Sequence, residues 1–297
     1  MPSTREIRRR MRSIKNMAQI TKAMQMVASS KMRRAQERVH ESRPYADQLR
    51  ALVSRLANVA GGDLGDEVTL MIKRPVHNIA FLIIGPDRGL SGALPGNVNR
   101  KASSSALEER NLLAENGQQP GIEYIAVGRK ARDFVIRSQQ KLTAEFTNYG
   151  DRPSMNDATA ISQVVVDAFL KEEVDAVYLV YPKFVNTVTQ QPTTVKLLPV
   201  EPPPAEEGDQ REKIDYIYEP SPQEIFKALL PRYVDVQVYQ ALLETIASFY
   251  SAQMISMKNA TDNANDLVQD LTLTYNKARQ SAITNQILEV VAGAEGL

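Results

Sequence analysis

Apolar residues recur at helical spacing in two unusually long segments, one at each end of the chain. The first runs from residue 3 to residue 60 with no glycine and a single proline, Pro44, and the second runs from residue 232 to residue 292 with neither. Helices of globular proteins average about 11–12 residues, whereas the second segment alone would form a helix roughly 90 Å long. Such lengths predict a coiled coil.

Signals for helix ends accompany both segments. Ser3 followed by Glu6 is a capping box, which predicts a helix start near Thr4. The glycines that follow the two segments, Gly61 and Gly293, are predicted to end the helices. We therefore expect coiled-coil helices within 1–60 and 222–297.

A heptad count tests the coiled-coil interpretation. Alternating four- and three-residue steps from Ile7 give eight apolar positions in ten, and the same steps from Tyr239 give ten in twelve. The first seam is Ile7, Met11, Ile14, Ala18, Thr21, Gln25, Ala28, Met32, Ala35 and Val39, and the second is Tyr239, Leu243, Ile246, Tyr250, Gln253, Met257, Ala260, Ala264, Leu267, Leu271, Thr274 and Ala278. Sustained spacing of this kind is typical of coiled coils. Because one helix opens the chain and the other closes it, an antiparallel pair is the simplest arrangement.

Apolar side chains also lie off the seam. In residues 17–28, eight of twelve are apolar and surround the helix: Met17, Ala18, Ile20, Ala23, Met24, Met26, Val27 and Ala28. Residues 281–297 are similar, with Glu289 and Glu295 as their only charges. A single partner helix buries only one stripe, so both segments are predicted to enter a hydrophobic sleeve made by other chains. The basic residues from Lys31 onward are predicted to form an exposed part of the helix pair leading to its base.

Strands alternating with helices are predicted between the two long segments. Buried-strand runs occur at 76–84, 122–127 and 176–181, and residues 186–200 alternate as a further strand. One helical stretch follows the first strand and ends near Ala114, and another spans residues 155–171. This order predicts a small, Rossmann-like α/β domain with a largely parallel sheet within residues 75–218. The predicted fold is therefore α/β plus a long antiparallel coiled coil, with the α/β domain at its base.

Composition removes several chemistries. The 297 residues include no cysteine and only two histidines, so we expect neither disulfides, thiol catalysis nor a metal site. The longest apolar run, residues 79–84, is far shorter than the ~20 residues of a membrane span, and no apolar signal core follows the basic N-terminus. We therefore expect a soluble, intracellular chain.

Charge is distributed unevenly along the sequence. Residues 1–43 carry twelve basic and three acidic residues, and residues 232–297 carry four basic and seven acidic ones. This difference favours pairing of the two ends, although screening makes the effect modest. The basic run itself has three possible uses: a solvated helix face, a nucleic-acid surface or a contact with an acidic protein. Residues 1–44 lack the aromatic side chains that would stack on bases, whereas a protein contact fits the seam in the same helix.

The loop GPDRGLSG, residues 85–92, follows the first predicted strand, where α/β proteins often bind phosphate. It matches neither GxGxxG nor GxxxxGK[ST], so a structural turn is favoured over a phosphate site. Asp87 and Arg88 are interpreted as turn and interface groups. The sequence contains no recognisable catalytic constellation.

Three stretches resemble the gamma subunit of the F-type ATP synthase: IRRRMRSIKNMAQITKAMQMVASSKMRRAQ from residue 7, DRGLSG from residue 87, and MKNATDNANDLVQDLTLTYNKARQSAITNQILEVVAGAEGL from residue 257. The resemblance spans the chain and implies a central rotor shaft whose coiled coil enters a ring of alternating alpha and beta subunits. The α/β domain would contact the epsilon subunit and the membrane-embedded ring of c subunits. Catalysis would belong to the beta subunits, and this chain would couple their nucleotide states to ring rotation driven by proton flow, without a catalytic, cofactor or metal site of its own.

The same resemblance implies contact residues and a location. Met24 lies in the KAM motif, where the family's shaft faces the beta subunits, and Arg279, Gln280 and Thr284 lie in KARQSAIT, where the C-terminal helix contacts a beta-subunit loop. The chain would lie on the cytoplasmic face of a bacterial plasma membrane, attached only through the complex, and would bind no nucleic acid.

Several residues depart from the family's pattern. Ser91 stands where the family often has Cys, Pro95 and Gly96 resemble an insertion, and Gln253 stands where some members carry Arg. The thiol switch of the chloroplast type cannot operate without cysteine. Two other interpretations remain: an α/β nucleotide-binding enzyme with helical arms, and a basic coiled-coil protein that binds nucleic acid with strongly salt-dependent affinity.

Overall fold

The computed structural model describes residues 3–60, 69–115, 117–201 and 221–295. Its helices are α1 (Thr4–Ala60), α2 (Leu94–Glu115), α3 (Arg129–Arg137), α4 (Met155–Leu170) and α5 (Pro222–Glu295). Its strands are β1 (Asn78–Ile84), β2 (Gly121–Val127), β3 (Lys141–Phe146), β4 (Ala176–Phe184) and β5 (Gln190–Leu198), and Thr69–Met71 forms a short 3-10 helix. None of the helices in the described part of the chain has the length and apolar character that crossing a membrane requires.

The chain divides into two compact units. One comprises Met1–Ser30 with Gln253–Leu297, and the other comprises Lys31–Ala252. Both α1 and α5 therefore contribute residues to each unit. The predicted division into segments 1–60, 75–218 and 222–297 follows the ends of the helices instead and stays a prediction.

The first unit contains an antiparallel helix pair. The hydroxyls of Thr21 and Thr261 lie 2.8 Å apart. The guanidinium of Arg8 donates to the hydroxyl of Tyr275 and lies 5.3 Å from its ring centroid. Arg8 precedes Thr21 in α1, whereas its partner Tyr275 follows Thr261 in α5. The two helices therefore run in opposite directions, and the predicted antiparallel pairing is confirmed.

The predicted seam of α1 is confirmed along its length, because all ten of its positions are buried or half-buried. The seam of α5 differs from the prediction at two places. Leu267 is 51% exposed and Thr274 is also exposed, whereas Val268 and Tyr275 are half-buried. The seven-residue repeat is retained, but the order of its three- and four-residue steps is reversed in this stretch, which a heptad count cannot distinguish.

The predicted start of α1 and the predicted end of α5 have different outcomes. Helix α1 begins at Thr4 as predicted, and the Ser3 hydroxyl accepts a hydrogen bond from the Glu6 amide at 3.3 Å. The predicted end of the last helix at Gly293 is wrong, because α5 continues to Glu295. A glycine costs a helix only about 1 kcal/mol and does not by itself end one. Gly61 lies outside the described residues.

The second unit contains a five-stranded sheet in the order β3-β2-β1-β4-β5. The first four strands are parallel and β5 is antiparallel to β4. The strands predicted from buried apolar runs are confirmed, and residues 186–200 do contain a strand. Helix α3 and strand β3 were not predicted, and they add a crossover to the α/β domain.

Alternate residues of β1 enter two separate cores. Ala80, Leu82 and Ile84 pack in the core that also contains residues of α1, α4 and α5. Ile79, Phe81 and Ile83 pack in the core formed with α2 and α3. A strand covered on both faces must be apolar on both faces, and this explains the unbroken apolar run in the sequence.

Candidate functional site

Large apolar side chains on α1 are exposed beside the seam. Met17 is 57% exposed, Ile20 61%, Met26 62% and Val27 56%. A single exposed apolar side chain is ordinary, but four in three helical turns form a patch of the kind that marks an interaction surface. Because the seam of this helix is already occupied by α5, the patch is available to other chains.

The end of α5 forms a second apolar surface. Its exposed residues are Ile283, Ile287, Leu288, Val290 and Val291, each between 47% and 72% accessible. Tyr275 pairs with Arg8, which lies only one turn from the start of α1. The antiparallel register therefore carries this part of α5 past the described start of α1, and its apolar side chains project on several faces.

Six exposed basic residues of α1 lie between these surfaces, and we call them the basic collar: Arg5, Arg8, Arg9, Arg10, Arg12 and Lys15. The side-chain partner of Arg8 is the hydroxyl of Tyr275 rather than a carboxylate. The contact of Arg8 across the helix pair is thus with an aromatic side chain, and the expected attraction between the oppositely charged ends of the chain stays a prediction. Within the part of the chain that the structure describes, the basic collar is exposed, and its positive charge suits an acidic partner.

The structure places the four predicted contact residues in two groups. Met24 is half-buried and borders the seam, between Thr21 and Ala28. Arg279, Gln280 and Thr284 are exposed on α5, and the Thr284 hydroxyl donates to the Gln280 carbonyl at 3.0 Å. By the register of the pair, Met24 lies opposite the turn of α5 before Thr261, so the two groups face different levels of any surrounding partner.

The loops after β1, β2 and β3 are joined by hydrogen bonds at the carboxyl edge of the sheet. This is the edge where α/β proteins commonly bind ligands. The Asp87 carboxylate accepts hydrogen bonds from the amides of Arg129 and Asn148, each at 3.0 Å. The Tyr149 hydroxyl donates to the Gly85 carbonyl at 2.7 Å, and burial together with the charge of Asp87 raises its pKa above the ordinary value. Asp87 thus takes the position at the start of α3 that a phosphate would need, in agreement with the structural-turn interpretation.

A cavity of about 130 Å³ lies beside this edge, between Arg88, Asp151, Phe249 and Tyr250. Sites for drug-sized ligands usually measure about 300–1,000 Å³. Because the cavity is smaller than this and Asp87 already occupies the helix start, the edge gives little support to the nucleotide-binding interpretation.

Near this cavity, a polar cluster connects α1 and α5 to the loop after β3. The Lys31 ammonium lies 2.6 Å from the Asp151 carboxylate, 3.3 Å from the Tyr250 hydroxyl and 5.2 Å from the Tyr250 ring centroid. Burial alone would raise the pKa of Asp151, but hydrogen bonds from Lys31 and Tyr250 outweigh it and hold that pKa below its ordinary value. Lys31 is therefore half-buried and paired, and the prediction that the exposed basic stretch begins at this residue is wrong.

Helix α5 also binds the hairpin that joins β4 and β5. The Ser248 hydroxyl donates to the Pro182 carbonyl at 2.9 Å, and the Ser251 hydroxyl donates to the Thr187 carbonyl at 2.9 Å. Glu244 accepts from the Phe184 amide at 3.2 Å. All three side chains are buried. Sequence analysis did not identify them, although two serines and a glutamate at spacings of four and three in an apolar stretch were a visible signal.

Comparison with known proteins covers the whole chain. The family model described as ATP synthase matches residues 3–297. The ATP synthase gamma chain of Roseiflexus castenholzii is 49% identical over 299 residues, which cover 100% of this chain and 99% of the relative. The gamma chain of Chloroflexus aurantiacus is 45% identical with the same coverage.

Solved structures share the fold. A chain of the Euglena gracilis mitochondrial ATP synthase, in a structure of its OSCP, F1 and c-ring, superposes with a TM-score of 0.67 at 19% identity, over 99% of this chain and 94% of that one. A chain of the Tetrahymena thermophila central stalk and c-ring superposes with a TM-score of 0.60 at 22% identity, over 81% and 99%.

An antiparallel helix pair with exposed apolar surfaces, together with a small Rossmann-like domain, has the fold of the central-stalk proteins of rotary ATP synthases. The sequence matches are closer and more specific. The chain belongs to the gamma-chain family of the F-type ATP synthase.

Proposed function

We propose that this chain is the rotor shaft that couples proton-driven rotation of a membrane ring to ATP synthesis, or in reverse to ATP hydrolysis, at the beta subunits of an alpha/beta hexamer. In this proposal the chain has no catalytic site and binds no cofactor of its own. The observation that carries the proposal is the pair of exposed apolar surfaces on helices whose seam is already filled.

Those surfaces have properties suited to turning inside a sleeve. Methionine, valine and isoleucine make no directional hydrogen bonds, and methionine adapts its shape readily. The paired helices also differ in sequence, so each surrounding subunit would meet a different surface at each angle. A ligand shifts an equilibrium only by its differential affinity for the two states, and an asymmetric shaft supplies such a difference mechanically to each nucleotide site.

The proposed partners are the alpha and beta subunits around the helix pair, and the epsilon subunit and c-ring at the α/β domain. The family assignment and the fold shared with chains of F1 and c-ring assemblies support this arrangement. The proposed contacts to beta are Met24 at one level and Arg279, Gln280 and Thr284 at another. We place the chain on the cytoplasmic face of a bacterial plasma membrane, held there through the complex.

Substitution of Met24 by lysine tests the proposal. Met24→Lys places a charge against an apolar sleeve, where an unpaired buried charge costs several kcal/mol. We expect the reconstituted complex to bind ATP normally while proton pumping and ATP yield fall. Met24→Leu keeps the site apolar and should behave as the wild type. Full pumping and ATP yield in Met24→Lys, or nucleotide binding by the isolated chain, would contradict the proposal.

A further inference from the structure

We propose that six residues of the 31–252 unit fix the angle to which α1 and α5 are rotated about their own axes relative to the α/β domain. We call this angle the rotational setting, and fixing it would allow torque to pass between the two helices and the α/β domain. These residues, which we call the helix anchor, are Lys31, Asp151, Glu244, Tyr250, Ser248 and Ser251. The inference rests on the proposed function, since only a shaft that carries torque requires such a device.

Apolar packing alone does not define a rotational setting well. Within this unit α5 packs on the sheet through Val234, Val238, Ala241 and Leu242. Dispersion and apolar burial are non-directional, so a helix held only in this way can shift into a neighbouring ridge-and-groove arrangement. Hydrogen bonds require short distances and near-linear geometry, and they therefore penalise small rotations.

The helix anchor holds α5 from two sides. Ser248 and Ser251 are bonded to the β4–β5 hairpin, whereas Tyr250 meets Lys31 and Asp151 beside the loop after β3. Successive residues of a helix are rotated by about 100°, so Tyr250 lies about 160° around the helix from Ser248 and about 100° from Ser251. Rotation of α5 in either direction lengthens one of these two sets of bonds.

Hydrogen bonds also hold the two attachment points, the loop after β3 and the β4–β5 hairpin, in place. In the loop after β3, the Asn148 amide binds Asp87 at 3.0 Å and the Arg38 guanidinium binds the Asp151 carbonyl at 3.4 Å. In the hairpin, the Asn186 side chain accepts from the amides of Val188 and Thr189 at 2.9 and 2.8 Å. Both segments that the helix anchor contacts therefore have hydrogen-bonded partners of their own.

Stability alone gives a weaker reason for these groups. Burying a polar group lowers stability unless it is bonded, and replacing buried ion pairs by apolar residues is often neutral or stabilising. Three buried polar side chains on one helix face, together with a half-buried ion pair, therefore serve orientation better than they serve stability. Both α1 and α5 extend beyond the 31–252 unit, α1 toward Thr4 and α5 toward Glu295.

A rotation measurement on the assembled complex tests this assignment. The chain has no cysteine, so Ser103→Cys on the exposed side of α2 gives it a single thiol for an optical probe. With the alpha/beta ring fixed and the rotor paused by bound nucleotide, the spread of probe angles reports the torsional stiffness. The variants are Ser251→Ala, the double variant Ser248→Ala with Ser251→Ala, and Lys31→Met.

Loss of a hydrogen bond to a charged group is expected to raise the population of displaced settings by roughly tenfold or more. Lys31→Met should therefore widen the angular distribution and lower the ATP yield per proton, while hydrolysis by the complex continues. Ser251→Ala, which removes one oxygen atom, should widen the distribution less than the double variant does.

Two matched controls separate orientation from loss of stability. Thr245→Val removes a fully buried hydroxyl of α5 whose hydrogen bond within the described residues is to the Ala241 carbonyl of the same helix, at 2.7 Å. Lys73→Met removes an exposed ion pair to Glu201 at 3.5 Å, and neither residue belongs to α1 or α5. Both should leave the angular spread unchanged. If the wild-type complex rotates and the angular spread of the Ser251→Ala variant equals that of Thr245→Val, the helix anchor is refuted. If the wild-type complex does not rotate, the proposed function is refuted instead.

Discussion

Asp175 joins the starts of β1 and β4, and its removal gives a prediction whose size follows from the contacts. Its carboxylate accepts hydrogen bonds from the amides of His77 and Asn78 at 2.7 and 2.9 Å and from the Arg74 guanidinium at 2.5 Å. The Arg74 guanidinium also lies 4.6 Å from the Phe169 ring centroid. The side chains of Arg74 and Asp175 are only 18% and 7% exposed.

Asp175→Ala would remove the carboxylate that pairs with Arg74 and accepts from two backbone amides, while the Arg74 guanidinium keeps its hydrogen bonds to the carbonyls of Phe169 and Val174. Breaking a buried ion pair in this way costs about 3–5 kcal/mol, a large part of the roughly 5–15 kcal/mol that stabilises a typical domain. We expect the free energy of opening of the sheet to fall by this amount. Hydrogen exchange of peptides covering 78–84 and 176–184 measures it in the full chain, because protected amides of core strands report such openings.

Asp167→Ala on the exposed face of α4 is the matched control, and surface substitutions usually change stability by less than about 0.5 kcal/mol. Burial would raise the pKa of Asp175, but the bonds from the Asn78 and His77 amides and from Arg74 hold it below its ordinary value of 3.8. The stabilisation is therefore present at neutral pH and is lost as the pH falls below that value. Equal exchange in Asp175→Ala and Asp167→Ala at neutral pH would refute the reasoning.

Three further substitutions probe single features. Gly128→Ala should unfold the carboxyl edge of the sheet, because the new Cβ would lie 2.0 Å from the Gly85 carbonyl at a φ of 92°; undiminished resistance to proteolysis would contradict this. Ser91→Ala removes a buried hydroxyl that has no hydrogen-bond partner among the described residues, so calorimetry of the variant should give a melting temperature equal to or above that of the wild type; a lower melting temperature would mean that the hydroxyl has a partner. Burial raises the pKa of Glu244 above its ordinary value of 4.5, so the wild type should lose stability as the pH rises from that value through the folded pKa. The Glu244→Gln variant should lose less stability than the wild type between acidic and neutral pH, as measured by chemical denaturation. If the stability of the two proteins changes with pH in parallel, the Glu244 charge has no role in it.

The architecture was largely predictable because long-range order in this chain is repetitive. A heptad count gave the two seams, and the positions of the helices at opposite ends of the chain gave their antiparallel pairing. The predicted seam of α1 was correct at every position. The same count misplaced Leu267 and Thr274, since the repeat is equally well met by either order of steps and the contact of Arg8 with Tyr275 decides between them. Buried parallel strands were found from their apolar runs, whereas the edge strand β3 alternates polar with half-buried residues and has no such run.

The contacts within the 31–252 unit were harder to predict. Lys31 and Asp151 are separated by 120 residues, and nothing in the local sequence of either one identifies the other. Lys31 lies in a basic stretch that suggests solvent exposure, and only the loop after β3 brings a carboxylate to it. The apolar surfaces around Met17 and Ile287 could be inferred, by contrast, because an apolar helix face is a property of one continuous segment.

The bond between Thr21 and Thr261, which are 240 residues apart, has a consequence for biosynthesis. The first helix leaves the ribosome with its seam unpaired and stays so until nearly the whole chain has been made. Loop-closure entropy grows only slowly with length, and folding of the intervening α/β domain brings the two segments closer together. The helix pair is therefore expected to form late, and a nascent chain released before Thr261 would expose the apolar seam of α1 as well as its outer patch.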